Sequence, residues 1–181
     1  MTRIALRDID TMTDEARNLT LERGNLNVYR ALANAERVFT GWMKAGRAAL
    51  TSPVLSARLR ELVILRVGYL MDSPYEIAQH TTVAARARLS ASQIAALAPA
   101  ADLATGGFED TELAVLGLIT ELIQTKNVGA ESFEQVRRAL GDEATVEVLM
   151  LVNRWTGLAL MLNALDVDLD THARITIPQT H

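Results

Sequence analysis

The chain has 181 residues, of which 49% are apolar and 22% are charged, and this balance predicts one globular domain with a substantial core. Because 22 acidic residues outnumber 18 basic ones, the net charge of -4 provides no basic field for a nucleic-acid backbone, which excludes nucleic acid as the expected partner. The chain has no cysteine, which excludes disulfides, thiolate metal sites and every redox mechanism that uses a thiol.

Neither a secretory signal nor a membrane span is expected. The first residues, "MTRIALRDIDTMTDEARN", mix charged with apolar side chains and lack a continuous hydrophobic region. The most apolar stretch, "VEVLMLVNRWTGLALMLNALDV", is interrupted by Glu147, Asn153, Arg154 and Asn163, so it is predicted to be a buried core helix. The simplest expectation is a cytoplasmic protein without a membrane partner.

The first third of the chain is predicted to be helical, because Ala and Leu dominate while aromatic residues make up only 4%. Thr13 is placed to cap a short helix over residues 14–23. Further helices are expected from about residue 28 to residue 50, with a break near Thr40 and Gly41. The sequence "TSP" at 51–53 ends this block.

Helix signals continue along the rest of the chain, so the predicted fold class is all-α. Ser56 is placed to cap a long helix that ends at Leu70, and Ser73 with Pro74 starts a second one that reaches about residue 88. Ser90 is placed to cap a short helix. Three more helices are expected over 111–125, 130–140 and 142–165, followed by an extended, exposed tail, "THARITIP".

A weak internal repeat predicts that one helical hairpin occurs twice. "ELVILRVGYL" from Glu61 aligns with "ELAVLGLITE" from Glu112, and each is followed by a loop and a second helix. Matching Val83 to Val136 puts Phe133 at the position of His80 and Gly129 at the position of Glu76. The polar set of the first hairpin therefore occurs once, which predicts one site per chain.

That polar set lies in "RELVILRVGYLMDSPYEIAQH", residues 60–80, an apolar stretch that nevertheless carries Glu61, Arg66, Asp72, Glu76 and His80. A buried charge must be paired or neutralised, so these residues form either a structural ion cluster or a site. Glu76 and His80 are four residues apart and share one face of a helix. A neighbouring carboxylate raises the pKa of a histidine and burial lowers it, which can leave the group near neutrality, where a general acid or base works best.

Glu61 is harder to place beside His80. If the hairpin turns at Asp72 and Ser73 and its helices are antiparallel, Glu61 lies roughly 18 Å before the turn and His80 roughly 10 Å after it. Leu65 and Gly68 would then be the nearer neighbours of His80. A contact between Glu61 and His80 requires steeply crossed helices, a bridging water or a second subunit.

Three other residues of the stretch are candidates for binding a substrate, each with a structural alternative. Arg66 could hold a carboxylate with its forked donors, or it could pair with a structural acid. Tyr75 could donate to a developing oxyanion, or it could simply pack beside the helix start. Ser73 is most simply an N-cap.

A metal site is a further interpretation of the same residues, because two carboxylates and a histidine can bind a metal ion. Only His80 is available in this stretch, since His172 and His181 lie in the tail. Neither a metal nor an organic cofactor is expected. Trp42, Met43, Trp155 and Met161 are expected to be core or interface residues, with a small chance of lining the pocket.

The segments "ELVILRV" around Glu61, "YEIAQH" at 75–80 and "LSASQIAAL" at 89–97 resemble the carboxymuconolactone decarboxylase family, which includes the alkyl hydroperoxidase D branch. "NVYRALANAERVFTGWMKAG" resembles the N-terminal helices of that family, and "LGDEATVEVLMLVNRWTGLALMLNALDVDLD" resembles the closing segment of its longer members. The resemblance implies a compact helical bundle of the alkyl hydroperoxidase D-like type. Its core region would span about 55–125, with N-terminal helices at 13–50 and a long C-terminal helix at about 142–165.

The resemblance also bears on chemistry. The peroxidase branch carries a glutamate, two cysteines separated by two residues, and a histidine; here Glu61 and His80 fit, but the cysteine positions fall on Ser73 and Glu76. Without thiols, peroxidase activity is not expected. Arg88 is another departure, since many relatives have a helix-ending glycine there. The decarboxylase branch needs no thiol, metal or organic cofactor, and it implies proton transfer at a histidine and a carboxylate.

The expected function is a cofactor-independent decarboxylation or isomerisation of a small carboxylated lactone or enolisable compound. His80, Glu61 and Glu76 are the predicted catalytic residues, and Arg66, Tyr75 and Ser73 the predicted substrate-binding ones. The alternative is a non-enzymatic or ligand-binding member of the same scaffold. A homo-oligomer is expected because of the surplus of apolar surface, and the resemblance implies a trimer or hexamer, although a dimer remains possible.

Overall fold

A computed structural model describes residues 1–171, and every regular element in that range is helical. The all-α prediction is therefore confirmed, whereas the predicted extended tail lies outside the described residues from 172 onward. Short 3₁₀ turns occur at Ile9–Thr11, Ala33–Ala35 and Leu103–Gly106. The α-helices are α1 (Asp14–Glu22), α2 (Asn27–Leu32), α3 (Glu36–Thr51), α4 (Ala57–Leu70), α5 (Pro74–Arg86), α6 (Ala91–Ala96), α7 (Asp110–Thr125), α8 (Ala130–Leu140) and α9 (Asp142–Leu165).

Local capping determines where several helices begin. The Thr13 hydroxyl accepts a hydrogen bond from the amide of Ala16, and the Ser56 hydroxyl accepts one from the amide of Leu59. Ser90 forms a reciprocal capping box with Gln93 at the start of α6. These three starts confirm the predictions, because a hydroxyl at the N-cap satisfies an amide that the helix itself leaves unpaired.

The break in the second helical block lies at Ala33–Ala35, so the prediction of a break near Thr40 and Gly41 is wrong. At this break the Asn34 side-chain amide donates to the carbonyls of Ala31 and Ala5. The bond to Ala31, three residues away, is a local one that competes with the helical ladder. Gly41, by contrast, lies in the interior of α3, where a single glycine weakens a helix without ending it.

One compact unit comprises Met1–Ser52 together with residues 160–171. In it α1 packs against α3. The N-terminal segment is tied to the end of α9 and to the residues after it. The Arg3 amide donates to the carbonyl of Leu165 at 2.8 Å, and the Thr2 amide donates to the Asp168 carboxylate at 2.9 Å. This unit thus joins both ends of the described chain.

The second compact unit is Pro53–Ala159, and it is built on two helical hairpins. Helix α4 packs against α5, α7 packs against α8, and α4 packs against α7. This is the predicted repeat, with the central helices α4 and α7 contributing fully buried side chains such as Leu62, Ile64, Leu116 and Ile119. The expectation of one domain over the whole chain stays a prediction.

At the end of α5, Arg88 stands where the resemblance in sequence implies a glycine. Arg88 follows the C-cap residue Ala87 and has a φ of 66°, the left-handed conformation that glycine adopts at least cost. The Arg88 carbonyl accepts a hydrogen bond from the Arg58 guanidinium at 2.9 Å. The loop thus keeps a glycine-like backbone with an arginine in it.

Helix α9 is long and apolar enough to span a membrane by length and composition alone, a criterion that core helices of soluble proteins also meet. One part of its surface, including Leu151, Trp155 and Leu158, is buried, which agrees with the predicted core helix. Val146, Met150 and Leu160 are exposed.

Candidate functional site

Helices α4 and α5 bring a carboxylate and an imidazole into direct contact. His80 Nδ1 lies 2.8 Å from Glu61 Oε2, and the two residues are 1% and 3% exposed. A carboxylate accepts hydrogen bonds, so Nδ1 carries the hydrogen and donates it. The bond therefore fixes both the orientation of the ring and the position of one proton.

This contact corrects the geometry expected from the sequence. Leu65 and Gly68 were expected to be nearer His80 than Glu61, yet Gly68 faces Glu76 and Ile77, and the Glu61 carboxylate bonds the ring directly. Neither a bridging water nor a second subunit is needed. The antiparallel estimate compared backbone positions, whereas the long Glu61 side chain, one helical turn before Leu65 on the same face of α4, reaches the ring itself.

The other ring nitrogen faces two groups. Glu76 Oε2 lies 3.5 Å from His80 Nε2, one helical turn away on α5. The indole Nε1 of Trp155, on α9, lies 3.3 Å from the same nitrogen and donates to it. The indole meets the imidazole edge-on, with ring centroids 5.9 Å apart. His80 is thus held on one side by Glu61 and on the other by Glu76 and Trp155.

Burial and charge oppose each other at His80. Burial alone would lower the pKa of His80, but the charge and hydrogen bond of Glu61, together with the charge of Glu76, outweigh it and raise the pKa above its ordinary value of 6.5. The protonated ring is therefore favoured by its two acidic neighbours. A histidine tuned in this way can hold or release a proton in response to small changes nearby.

Glu76 is shifted in the same direction for a different reason. Burial raises the pKa of Glu76 above its ordinary value of 4.5, and the charge of Glu61 adds to this effect. His80, a hydrogen bond from Trp155 and the charge of Arg154 oppose it without reversing it. Arg154 also lies with its guanidinium carbon 5.6 Å from the centre of the Trp155 ring system. The arrangement is a buried acid–base cluster whose proton-binding groups influence one another.

The comparisons with known proteins agree with this fold. The model of the carboxymuconolactone decarboxylase family matches residues 36–119, a range that contains Glu61, Glu76 and His80. Over these residues the chain is similar to the carboxymuconolactone decarboxylase family. No curated protein matched the sequence.

Three solved structures are similar to this chain in fold. An alkylhydroperoxidase AhpD core, an uncharacterized peroxidase-related protein from Ralstonia eutropha JMP134, has a TM-score of 0.83 at 16% identity and covers 94% of this chain and 93% of its own. An uncharacterized peroxidase-related protein from Silicibacter sp. TM1040 has a TM-score of 0.78 at 12% identity, with 94% and 92% covered. A variant of the debrominase Bmp8, in complex with 2,3,4-tribromopyrrole, has a TM-score of 0.73 at 12% identity, with 94% and 91% covered. At these identities the likeness shows an alkyl hydroperoxidase D-like fold.

The resemblance in sequence implies that Ser73 and Glu76 stand at the two cysteine positions of the peroxidase branch. Ser73 is at the N-cap position of α5, but its hydroxyl makes no capping bond and has no hydrogen-bond partner among the described residues, although the residue is fully buried. The N-cap prediction is right in position and wrong in the bond. Glu76 points to His80 and Trp155 instead of closing a capping box with Ser73.

The second hairpin shows what a carboxylate does here without a histidine. Glu112, the residue aligned with Glu61, is buried and takes a bidentate interaction from Arg58, with distances of 2.7 and 3.2 Å. Phe133, aligned with His80, is partly exposed. The cluster with an imidazole is therefore a property of the first hairpin, whereas the second hairpin uses its carboxylate for a structural ion pair.

Arg66 lies away from the acid–base cluster. It is five residues after Glu61 on α4, which rotates it about 140° around the helix axis. Its guanidinium donates to the carbonyls of Leu97 and Ala98 and to the Thr120 hydroxyl, and burial lowers its pKa. The structural acid expected as its partner is replaced by these neutral oxygens.

Arg66 also lines a surface groove with Thr120 and Gln124, and His80 is not among the residues that line this groove. Tyr75, in contrast, is buried at the start of α5. The guanidinium of Arg66 is bonded to Leu97, Ala98 and Thr120, and the substrate-binding roles of Arg66 and Tyr75 stay predictions.

The arrangement does not suit a metal ion. Glu61 and Glu76 face different nitrogens of the same imidazole, so the three groups do not converge on one point in space. Over residues 1–171, no group of three histidine or acidic side chains is arranged to hold a metal. Trp155, which was expected to be a core or interface residue with a small chance of lining the pocket, joins the cluster from 75 positions after His80. Its only local signal was an indole N–H in an apolar helix that needs a buried acceptor.

Proposed function

We propose that this protein is a cofactor-independent acid–base enzyme that acts on a small carboxylated lactone or enolisable compound by decarboxylation or isomerisation. The observation that carries the proposal is the buried imidazole of His80, bonded to Glu61 at one nitrogen and facing Glu76 at the other. Buried polar groups are costly unless they are paired, and shifted pKa values of this kind are common at active sites.

In the proposed reaction Glu61 positions the ring and His80 Nε2 exchanges the proton. In an isomerisation, Nε2 takes a proton from a carbon next to a carbonyl group, the electron pair moves into an enolate, and the proton returns at another carbon. In a decarboxylation, the C–C bond electrons of the departing carboxylate form the enolate, and the proton is delivered to it. Glu76 Oε2, 3.5 Å from Nε2, can accept the proton from Nε2 as a carboxylate and return it as a carboxylic acid.

Access is the physical requirement of this mechanism. His80 is 1% exposed, so a substrate must displace a covering side chain before it reaches Nε2. Gated sites of this kind exclude water during the reaction. The same burial favours the alternative, a ligand-binding or structural member of the family without turnover, in which the cluster only holds α4, α5 and α9 together.

Turnover by matched variants tests the proposal. Release of carbon dioxide and exchange of carbon-bound hydrogen in heavy water would be measured over a panel of carboxylated lactones and enolisable acids. His80→Gln is expected to lower the rate by about 10²–10⁴-fold. Glu112→Gln removes a buried carboxylate from the aligned position of the second hairpin and is the control, expected to keep the rate.

An unchanged rate in His80→Gln would remove this residue from the mechanism. If no compound of the panel turns over but some raise the melting temperature of the protein in a way that depends on His80, the ligand-binding alternative is favoured.

Peroxidase activity is not proposed, since the chain contains no cysteine to act as a thiolate nucleophile.

A further inference from the structure

The indole N–H of Trp155 is a donor that faces two acceptors. It lies 3.3 Å from His80 Nε2, and Glu76 Oε2 lies 3.5 Å from that same nitrogen. An indole nitrogen donates and never accepts. It can therefore bond to Nε2 only when that nitrogen carries no hydrogen, because two N–H groups facing each other repel.

Protonation of the ring changes which acceptor is available. When Nε2 takes a proton, it becomes a donor, and the nearest acceptor in its direction is Glu76 Oε2 at 3.5 Å. The Glu76 carboxylate has room for both donors, since two oxygens offer about four lone pairs. Glu61 keeps its bond to Nδ1 in both states, so the ring does not need to turn.

We infer that Trp155 is a positioning residue of this site: its indole N–H bonds to His80 Nε2 while that nitrogen is unprotonated, and moves to Glu76 when the nitrogen takes a proton. The inference deepens the proposed function, because it names the group that stabilises the base form of His80, but it rests on the contacts alone. Trp155 would thereby oppose the two glutamates, which favour the protonated ring.

The surrounding charges allow this exchange. The charged groups that act on His80 are Glu61 from α4 and Glu76 from its own helix, and Arg154 on α9 acts on Glu76. The charge of Arg154 favours the ionised form of Glu76, which accepts the hydrogen bonds when His80 is protonated. The unprotonated Nε2 depends on the Trp155 donor, because a buried acceptor without a partner is costly.

The test is a pH titration of His80 in the full-length protein, monitored through the nitrogen-15 magnetic resonance signals of the imidazole. Trp155→Phe keeps an aromatic ring but removes the donor, and the midpoint of His80 is expected to rise by roughly one pH unit. The protonated state loses less, because Glu76 still receives the bond from Nε2. Trp42→Phe is the matched control, since the chain has two tryptophans and Trp42 lies in the other unit.

An unchanged or lower midpoint in Trp155→Phe overturns the inference. If that variant fails to fold, the indole resonance of Trp155 in the Trp42→Phe protein gives a second measurement. This indole resonance should move to lower field as His80 takes a proton, because the new acceptor is a carboxylate. The movement should vanish in His80→Gln. An indole resonance that does not respond to the titration of His80 overturns the inference as well. Neither measurement needs a substrate, so absence of turnover would count against the proposed function and leave this inference standing.

Discussion

At the scale of single residues, the two glutamates differ in what they do to one imidazole. Glu61 is within hydrogen-bond distance of Nδ1, at 2.8 Å, whereas Glu76 is 3.5 Å from Nε2, beyond a strong hydrogen bond. Glu61 therefore acts on His80 through both charge and a hydrogen bond, and Glu76 acts through charge. The orientation of the ring depends on Glu61 more than on Glu76.

Replacing Glu61 should therefore lower the pKa of His80. In Glu61→Gln the carboxylate charge is lost while an oxygen remains to accept from Nδ1, and the midpoint is expected to fall by about one to three pH units. Imidazole resonances measured against pH give the result, with His80→Gln identifying the correct signal among the three histidines of the chain. Glu112→Gln should leave the midpoint in place, and an equal change in both variants would contradict this interpretation of the contact.

At the scale of helices, two serines occupy the same cap position with different bonding. Ser56 precedes α4 and accepts from the Leu59 amide at 3.1 Å. Ser73 precedes α5, and its buried hydroxyl has no hydrogen-bond partner within the described range. Pro74 supplies the start signal of α5 instead, since it fixes φ and has no amide hydrogen that needs an acceptor.

The contrast predicts unequal effects of the same substitution. Ser56→Ala removes a capping bond and should lower the free energy of unfolding by about 1 kcal/mol. Ser73→Ala removes a buried hydroxyl that has no bond to lose within the described part of the chain, and stability should be unchanged or slightly higher. Urea denaturation of both variants beside the parent protein measures the difference, and a loss in Ser73→Ala as large as that in Ser56→Ala would show that the hydroxyl is bonded.

At the scale of the whole molecule, the cluster links stability to pH. Burial raises the pKa of Glu76, and the acidic neighbours of His80 overcome burial to raise its pKa too, so the folded protein binds more protons at these groups than the unfolded chain does. Stability from a raised pKa is fully present below the unfolded value and is lost as pH rises through the folded value. Exposed Glu134, whose pKa is lowered to about 2 by Arg137 and Arg138, acts in the opposite sense and only at lower pH.

The free energy of unfolding is therefore expected to fall as pH rises above 4.5 through Glu76, and again above 6.5 through His80. Chemical denaturation at a series of pH values measures this slope. Glu76→Gln should flatten the part that begins near 4.5, and His80→Gln the part that begins near 6.5. Parallel curves for parent and variants would mean that neither group binds protons differently on folding.

The homo-oligomeric assembly and the cytoplasmic location stay predictions at this scale.

Sequence reasoning located the fold and the helix starts because these depend on nearby residues. Thr13, Ser56 and Ser90 cap helices a few positions away, and the repeated hairpin is visible as a repeated apolar pattern. The break predicted near Thr40 and Gly41 lies instead at Ala33–Ala35, where the Asn34 side chain bonds to the carbonyl of Ala5, 29 residues earlier in the chain. Gly41 was the stronger local signal for a helix break, and the bond between Asn34 and Ala5 could not be predicted from the sequence.

Some features of the candidate site could likewise be predicted from nearby residues, and others could not. The sequence by itself determined that Glu76 and His80 share a helix face, that no thiol is present and that the set occurs once, since composition and helical periodicity are local properties. Only the tertiary structure decided that Glu61 bonds the ring directly, that Arg66 turns to helix-end carbonyls, and that Trp155 completes the cluster. Those contacts depend on how helices cross, and the crossing of helices is set by packing across the whole core, which no short stretch of sequence contains.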